Sequence, residues 1–126
     1  MVRYKVLLVD DTEFYRKLYH TKLVSEGYEV TIAANGAEAI VFLGKNAPDI
    51  VLLDLMMPVM DGYKVLETIG KDEKLKSIPV IVFTAKGASD EVDKAFALGA
   101  HDFMVKATSP PNKVVEKIRK VLEEKG

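Results

Sequence analysis

The 126-residue sequence contains no cysteine, which excludes disulfides, iron–sulfur clusters, thiolate zinc sites and a cysteine nucleophile. Its two histidines, His20 and His101, are too far apart in sequence to form a helical metal pair and lack an HExxH context, so each reads as a surface residue. Glutamine is absent, asparagine occurs only at 35, 46 and 112, and the charged residues are mostly Lys and Glu, the compositional lean of proteins from hot environments. Charge of one sign is also missing. Eighteen Lys and Arg oppose nineteen Asp and Glu, and a net charge of −1 favours neither nucleic acid nor an anionic membrane as a direct partner. No apolar stretch approaches the roughly 18 residues a bilayer requires, because Pro48, Asp49, Asp54 and Pro58 interrupt the longest ones. The segment Met1–Lys5 carries charge, but only Val6–Val9 follow as an apolar run before Asp10 and Asp11, which does not make a secretory leader. These absences lead us to expect a cytoplasmic protein. With no linker, repeat or low-complexity tract, residues 1–126 read as a single domain, and about two-thirds of the unfolded surface can be buried at this size.

Three runs are apolar throughout: Val6–Val9, Ile50–Leu53 and Val80–Phe83. Strands covered by helices on both faces have this pattern. Glu29–Ala33 and Asp102–Val105 mix polar and apolar residues, as rim strands do. Helical segments fill the gaps. One runs from after Thr12 to Gly27 with Tyr15, Leu18, Tyr19 and Leu23 on neighbouring turns. A second starts at Asn35-Gly36 with Ile40 and Leu43 and stops before Pro48; Asp61 caps a third with Leu66 and Ile69 inward. Ser89, followed by Asp90 and Glu91, caps a fourth that closes at Gly99. Ser109-Pro110 opens the last, with Val114, Val115, Ile118, Val121 and Leu122 as its buried stripe.

Strict alternation of strand and helix implies a parallel sheet with right-handed crossovers. Placing the apolar strands centrally gives an α/β fold, a flavodoxin-like doubly wound five-stranded parallel sheet of order 2-1-3-4-5 with five helices. In such sheets the crevice lies beyond the carboxyl ends of the strands, at the switch point between strands 1 and 3.

Chemistry-bearing side chains gather at that rim: Asp10 and Asp11 after strand 1, Asp54 after strand 3, Thr84 after strand 4 and Lys106 after strand 5. Taken singly, each has an ordinary explanation, since an Asp commonly caps the next helix and a terminal Lys is usually solvated. Four strands delivering complementary groups to one edge is a different matter. Three carboxylates repel one another, and a hard divalent cation such as Mg2+, which prefers oxygen ligands and binds with one or two carboxylates plus phosphate, resolves that repulsion. Mg2+ and Lys106 together balance the three acids and still present two positive centres to a phosphoryl group.

The sequence resembles the receiver domain of two-component response regulators, of the single-domain chemotaxis type, over essentially its whole length. The resemblance rests on Val-Leu-Leu-Val-Asp-Asp at 6–11, Leu-Leu-Asp-Leu-Met-Met-Pro-Val-Met-Asp-Gly at 52–62, Thr84-Ala85, Gly99-Ala100 and Lys106. It implies that Asp54 accepts a phosphoryl group from a phosphohistidine of a sensor histidine kinase or phosphotransfer protein. It further implies that Asp11, Asp54 and the Met56 carbonyl bind Mg2+ directly, that Asp10 acts largely through water, and that Lys106 pairs with the phosphoryl oxygens. Thr84 would hydrogen-bond the phosphoryl group. Phe103, three residues before Lys106, matches the aromatic switch position, although packing on an edge strand would equally account for it. Output would pass through altered protein contacts on the face of helix 4, strand 5 and helix 5, which here includes Lys94, Ala97, Phe103 and Lys117. No output module follows the last helix in this sequence, so either protein contact is the output or the domain belongs to a longer protein.

Three other readings compete. A haloacid-dehalogenase type phosphatase needs an acid two residues after its nucleophile, and Met56 stands there. A flavodoxin must hold an FMN phosphate in its first loop, where Asp10 and Asp11 would repel it. A receiver that works without phosphorylation commonly lacks one of the five key residues, and all five are present. Two local departures carry expectations of their own. Neither Met56 nor Lys86, the residues two after Asp54 and Thr84, could orient an attacking water, so the acyl phosphate should be long-lived. The family usually has proline after the lysine with a cis bond between them, whereas Ala107 stands here; a cis bond before a non-proline residue costs about 2.5–4 kcal/mol, so we expect a trans Lys106–Ala107 bond, with Ser109 capping the last helix and Pro110 in its first turn.

Overall fold

The computed structural model describes residues 3–125. Along these residues run β1 (Lys5–Val9), α1 (Glu13–Ser25), β2 (Glu29–Ala33), α2 (Gly36–Leu43), β3 (Ile50–Leu53), α3 (Gly62–Lys71), β4 (Val80–Thr84), α4 (Ser89–Ala97), β5 (Asp102–Val105), a 3-10 turn (Lys106–Thr108) and α5 (Pro111–Lys125). All four strand pairings are parallel and the order is β2-β1-β3-β4-β5, the expected doubly wound arrangement. The three wholly apolar runs occupy the centre, buried on both faces, while β2 and β5 lie at the edges and are only partly covered.

Side chains alternate across a strand, so each central strand feeds two cores. Leu7, Val9, Val51, Leu53, Val80 and Val82 pack with α2, α3 and Ala95 of α4 in an aliphatic core. Val6, Leu8, Ile50, Leu52, Ile81, Phe83 and Met104 pack with α1 and α5 around Tyr19 and Tyr28. The α5 stripe is as read from the sequence: Val114, Val115, Ile118, Val121 and Leu122 are all buried. On α1 the stripe is narrower, with Tyr19 and Leu23 buried, Tyr15 partly covered, and Leu18 37% exposed beside a more exposed Phe14.

Helix ends follow the sequence at several points. Asn35 Oδ1 accepts from Glu38 N at 2.9 Å while Glu38 Oε1 accepts from Ala34 N at 2.8 Å, a reciprocal cap, and Asp61 Oδ1 accepts from Lys64 N at 3.0 Å. Gly27 and Gly99 take φ of 95° and 104°, the left-handed conformation that closes α1 and α4. Two expected caps are corrected. Ser89 is already the first helical residue of α4, so Ala88, with no side chain able to accept, stands at the cap. At α5 the Pro110 carbonyl receives the first helical bonds, from Lys113 N and Val114 N, and Pro111 occupies the first turn. Ser109 is therefore one residue too early to cap, because the 3-10 turn absorbs the chain up to Thr108. The peptide bonds of the described residues are all trans, Lys106–Ala107 included.

Candidate functional site

Parallel register brings the rim residues together. Val9 pairs with Leu53, and Asp54 N donates to the Val9 carbonyl at 2.9 Å, so Asp10 and Asp54 leave the sheet side by side. Leu53 pairs with Val82 and Thr84 with Val105, which sets Thr84 and Lys106 against the same spot from the other side. Thr84 Oγ1 donates to Asp54 Oδ1 at 2.9 Å, and Met56 N donates to the same oxygen at 3.1 Å. Lys106 Nζ reaches Asp54 Oδ2 at 3.4 Å and lies closer, 2.7 Å, to Asp10 Oδ2. The lysine is thus shared between two acids.

Backbone shape keeps these groups in place. Asp10 Oδ1 accepts from Thr12 N at 2.9 Å, and Arg16 Nη1 donates to the Asp10 carbonyl at 2.9 Å, which ties the acidic loop to α1. At Gly62 a Cβ would collide with the Asp54 carbonyl oxygen, so the glycine after Asp61 lets α3 start directly against the backbone that carries Asp54.

Asp10 and Asp54 are almost fully buried at 1% and 4% exposure, whereas Asp11 is exposed. Burial pushes the Asp54 carboxyl above the ordinary carboxylate range; Lys106, the Met56 amide and the Thr84 hydroxyl oppose the rise, and the Asp10 charge adds to it. One lysine does not relieve the site. Asp10, Asp11 and Asp54 each place an oxygen within 4.8 Å of the others, an all-oxygen donor set without imidazole or thiolate that fits a hard divalent cation.

The profile of the response regulator receiver domain family matches residues 6–119. The chain belongs to that family. It is 42% identical over 118 residues to the "Probable transcriptional regulator ycf27" of Guillardia theta, covering 94% of this chain and 45% of that protein. The chain spans about half the length of the curated relatives it first matches. A CheY-like response regulator receiver domain protein from Methanospirillum hungatei aligns with a TM-score of 0.91 at 27% identity, covering 98% of this chain and 97% of that one. The Vibrio cholerae chemotaxis protein CheY4 gives 0.89 at 29% identity over 95% and 99% of the two chains. Receiver domains are phosphoacceptors, so the chain's class of activity is phosphorylation-dependent signalling.

Within this receiver domain, the fold gathers Asp10, Asp11, Asp54, Thr84 and Lys106 at one rim, with Met56, whose amide bonds Asp54, 55% exposed. Phe103 stands apart from them. It is partly buried against the aliphatic core, its ring edge near Gly87, where an added Cβ would lie 3.5 Å from Phe103 and 2.6 Å from Val105. Among the residues expected on the helix 4, strand 5 and helix 5 face, Ala97 is exposed, Lys94 Nζ sits 4.3 Å from the Tyr63 ring centroid, and Lys117 pairs with Asp102 at 2.7 Å.

Sequence reasoning missed the aromatic side of the site. Lys106 Nζ lies 4.2 Å from the Tyr15 ring centroid and 5.8 Å from that of Phe83. Tyr19, packed on Phe83 at 5.0 Å, donates its hydroxyl to the Ser109 carbonyl at 3.4 Å; burial, helped by Tyr15, pushes that hydroxyl up to about 12, so it stays a donor. The signal was present. In the strands, residues 6, 8, 50, 52, 81, 83 and 104 face α1 and α5, and the same alternation carried on to Lys106 puts it on the face of Tyr15 and Tyr19.

Proposed function

We propose that Asp54 is the phosphoacceptor of a signalling switch that this sequence forms as a single receiver domain. One observation carries the reading: Asp54 is a buried carboxylate at the switch point of the sheet, held on one oxygen by Thr84 and Met56 N and faced on the other by Lys106. A carboxylate oxygen attacks the phosphorus of a phosphohistidine on a sensor histidine kinase or phosphotransfer protein. The P–N bond breaks, its electron pair returns to the imidazole, and Asp54 becomes an acyl phosphate. There is little covalent work for the protein; positioning and charge neutralisation perform the transfer.

Asp11, Asp54 and the Met56 carbonyl would hold Mg2+, with Asp10 acting through water. When bound, the cation supplies positive charge at the phosphoryl oxygens. Lys106 would pair with those oxygens as well, and Thr84 would give up its bond to Asp54 to donate to the phosphoryl group. Asp11 should matter more to Mg2+ than Asp10, since Asp10 is already engaged by Lys106 and Thr12 N.

Phe103 follows Thr84 inward and alters the face bearing Lys94, Ala97 and Lys117, where an output protein docks. On this reading the domain is no enzyme toward an external substrate; it catalyses its own phosphorylation and dephosphorylation, and it works in the cytoplasm. Neither nucleic acid nor a membrane is a direct partner, and among the described residues no helix is long and apolar enough to cross a bilayer.

Incubation with Mg2+ and acetyl phosphate should add one phosphoryl group by intact mass. The Asp54→Asn variant should gain none; undiminished labelling of that variant would overturn the assignment.

A further inference from the structure

The Lys106 side chain is 6% exposed, so its ammonium has given up most of its water, yet among the described residues only two oxygens replace that water: Asp10 Oδ2 at 2.7 Å and Asp54 Oδ2 at 3.4 Å. The backbone after it does little to fix it. Ala107 leaves φ free where a proline would lock it, and Lys106 itself begins a three-residue 3-10 turn. A lysine is a flexible stem carrying a point charge, and its place must come from what surrounds the head group.

The third neighbour is the Tyr15 ring, whose centroid is 4.2 Å from Nζ. The face of an aromatic ring carries negative potential and attracts a cation within about 6 Å, most strongly where water is excluded. Tyr15 is itself tightly held. It meets Phe83 edge to face at 6.1 Å and 87°, Phe14 at 5.2 Å and 83°, and stacks near Tyr19 at 6.4 Å. Phe83 and Tyr19 are both buried, and Tyr19 also fixes the far end of the lysine loop through the Ser109 carbonyl. Aromatic residues of α1 and β4 thus grip residues 106 and 109 together.

We propose that Tyr15 is a positioning residue for Lys106, its ring face holding the ammonium between Asp10 and Asp54 so that it is presented to the phosphoryl group rather than turned toward Asp10 alone or out to solvent. The ring acts through the lysine. The proposal rests on the phosphoacceptor reading of Asp54 for its catalytic consequence but not for the contact itself.

The test compares Tyr15→Phe, which keeps the ring, with Tyr15→Leu, which removes it. The first readout is the nuclear magnetic resonance shift of the Lys106 ε-methylene, assigned by its loss in Lys106→Arg. Ring current should displace it upfield in the unmutated protein and in Tyr15→Phe, and most of the displacement should be lost in Tyr15→Leu, where the more distant Phe83 ring alone remains. An undisplaced signal in the unmutated protein overturns the proposal without any variant. The second readout is phosphorylation by acetyl phosphate at saturating Mg2+. Tyr15→Leu should lower the maximal rate about three- to thirtyfold, the range that a cation–π contact spans, with Mg2+ affinity by calorimetry unchanged and Tyr15→Phe close to the unmutated rate. A Tyr15→Leu rate equal to the unmutated one, or a Tyr15→Phe rate as poor as that of Tyr15→Leu, contradicts the proposal. If even the unmutated protein takes up no phosphoryl group, the phosphoacceptor reading fails, and the Lys106 shift still decides the clamp.

Discussion

The two faces of the sheet are packed in different ways. On the α1 and α5 side Tyr19, Tyr28 and Phe83 are buried and α5 sinks five apolar side chains into the core. On the other side the buried set is aliphatic with one methionine, and α4 contributes only Ala95 to it from nine residues. The cap of α4 is an alanine, and the segment 85–88 leading into it is exposed throughout. Lys106 belongs to the first face, whereas Thr84 leads into the second. A group gripped by aromatic rings stays where it is. On the proposed reading, the weakly anchored helix behind a bare loop is the element that a new hydrogen bond at Thr84 would shift. On that reading Lys106 is the fixed charge of the site and α4 its movable reporter.

The largest effect should come from cutting into the aromatic face. Phe83→Ala should cost about 3–5 kcal/mol by urea unfolding, whereas Phe96→Ala on α4, already 45% exposed, should stay near 0.5 kcal/mol. Equal losses would erase the difference between the faces.

Next in size is the charge at Asp54. A carboxyl whose pKa is higher folded than unfolded contributes stability that is present at low pH and lost as the pH rises through the raised value. Asp54→Asn should therefore be more stable than the parent at pH 7 in chelator, Lys106 keeping Asp10 as its partner, with the gap closing in acid. A gap that widens on acidification would mean that Lys106 already satisfies the carboxylate.

The lifetime of the acyl phosphate is a kinetic test of the open side of the site. Met56, two residues after Asp54, is exposed, and Lys86 lies in the bare loop. Met56→Asn and Lys86→Glu, which add groups able to orient water, should each speed decay several-fold. Unchanged decay in both variants, and in the pair combined, would count against water access as the control.

The smallest effect is expected at the partly exposed rim of the α5 side, where Asp102 of β5 meets Lys117 of α5. Burial alone would raise the Asp102 carboxyl, but Lys117 at 2.7 Å and the Phe103 amide bring it below its ordinary value, so this contribution is present at neutral pH and fades as the pH falls. Both side chains are about one-third exposed, and Lys117→Met should cost no more than about 1 kcal/mol at pH 7.

The sheet was legible because three uniformly apolar runs admit one kind of environment, and the strand ends then followed from the pleat. Asp10, Asp54, Thr84 and Lys106 could be gathered from sequence since each immediately follows or ends a strand. Ser89 and Ser109 were misplaced by one residue, because a serine beside a helix start fits either the cap or its neighbour and only the path of the loop decides. The sharing of Lys106 between Asp10 and Asp54, and the Tyr15 ring beside it, were not read. Alternation along β5 gives the face on which Lys106 lies, but where its long flexible side chain ends on that face is not set by spacing.

The account stands on which carboxylate carries the phosphoryl group. After incubation with Mg2+ and acetyl phosphate, borohydride reduction converts an aspartyl phosphate to homoserine, and peptide sequencing by mass spectrometry locates it. Homoserine at position 54 alone is the predicted result. Homoserine at position 10 or 11, or none anywhere while Mg2+ binds, would contradict it.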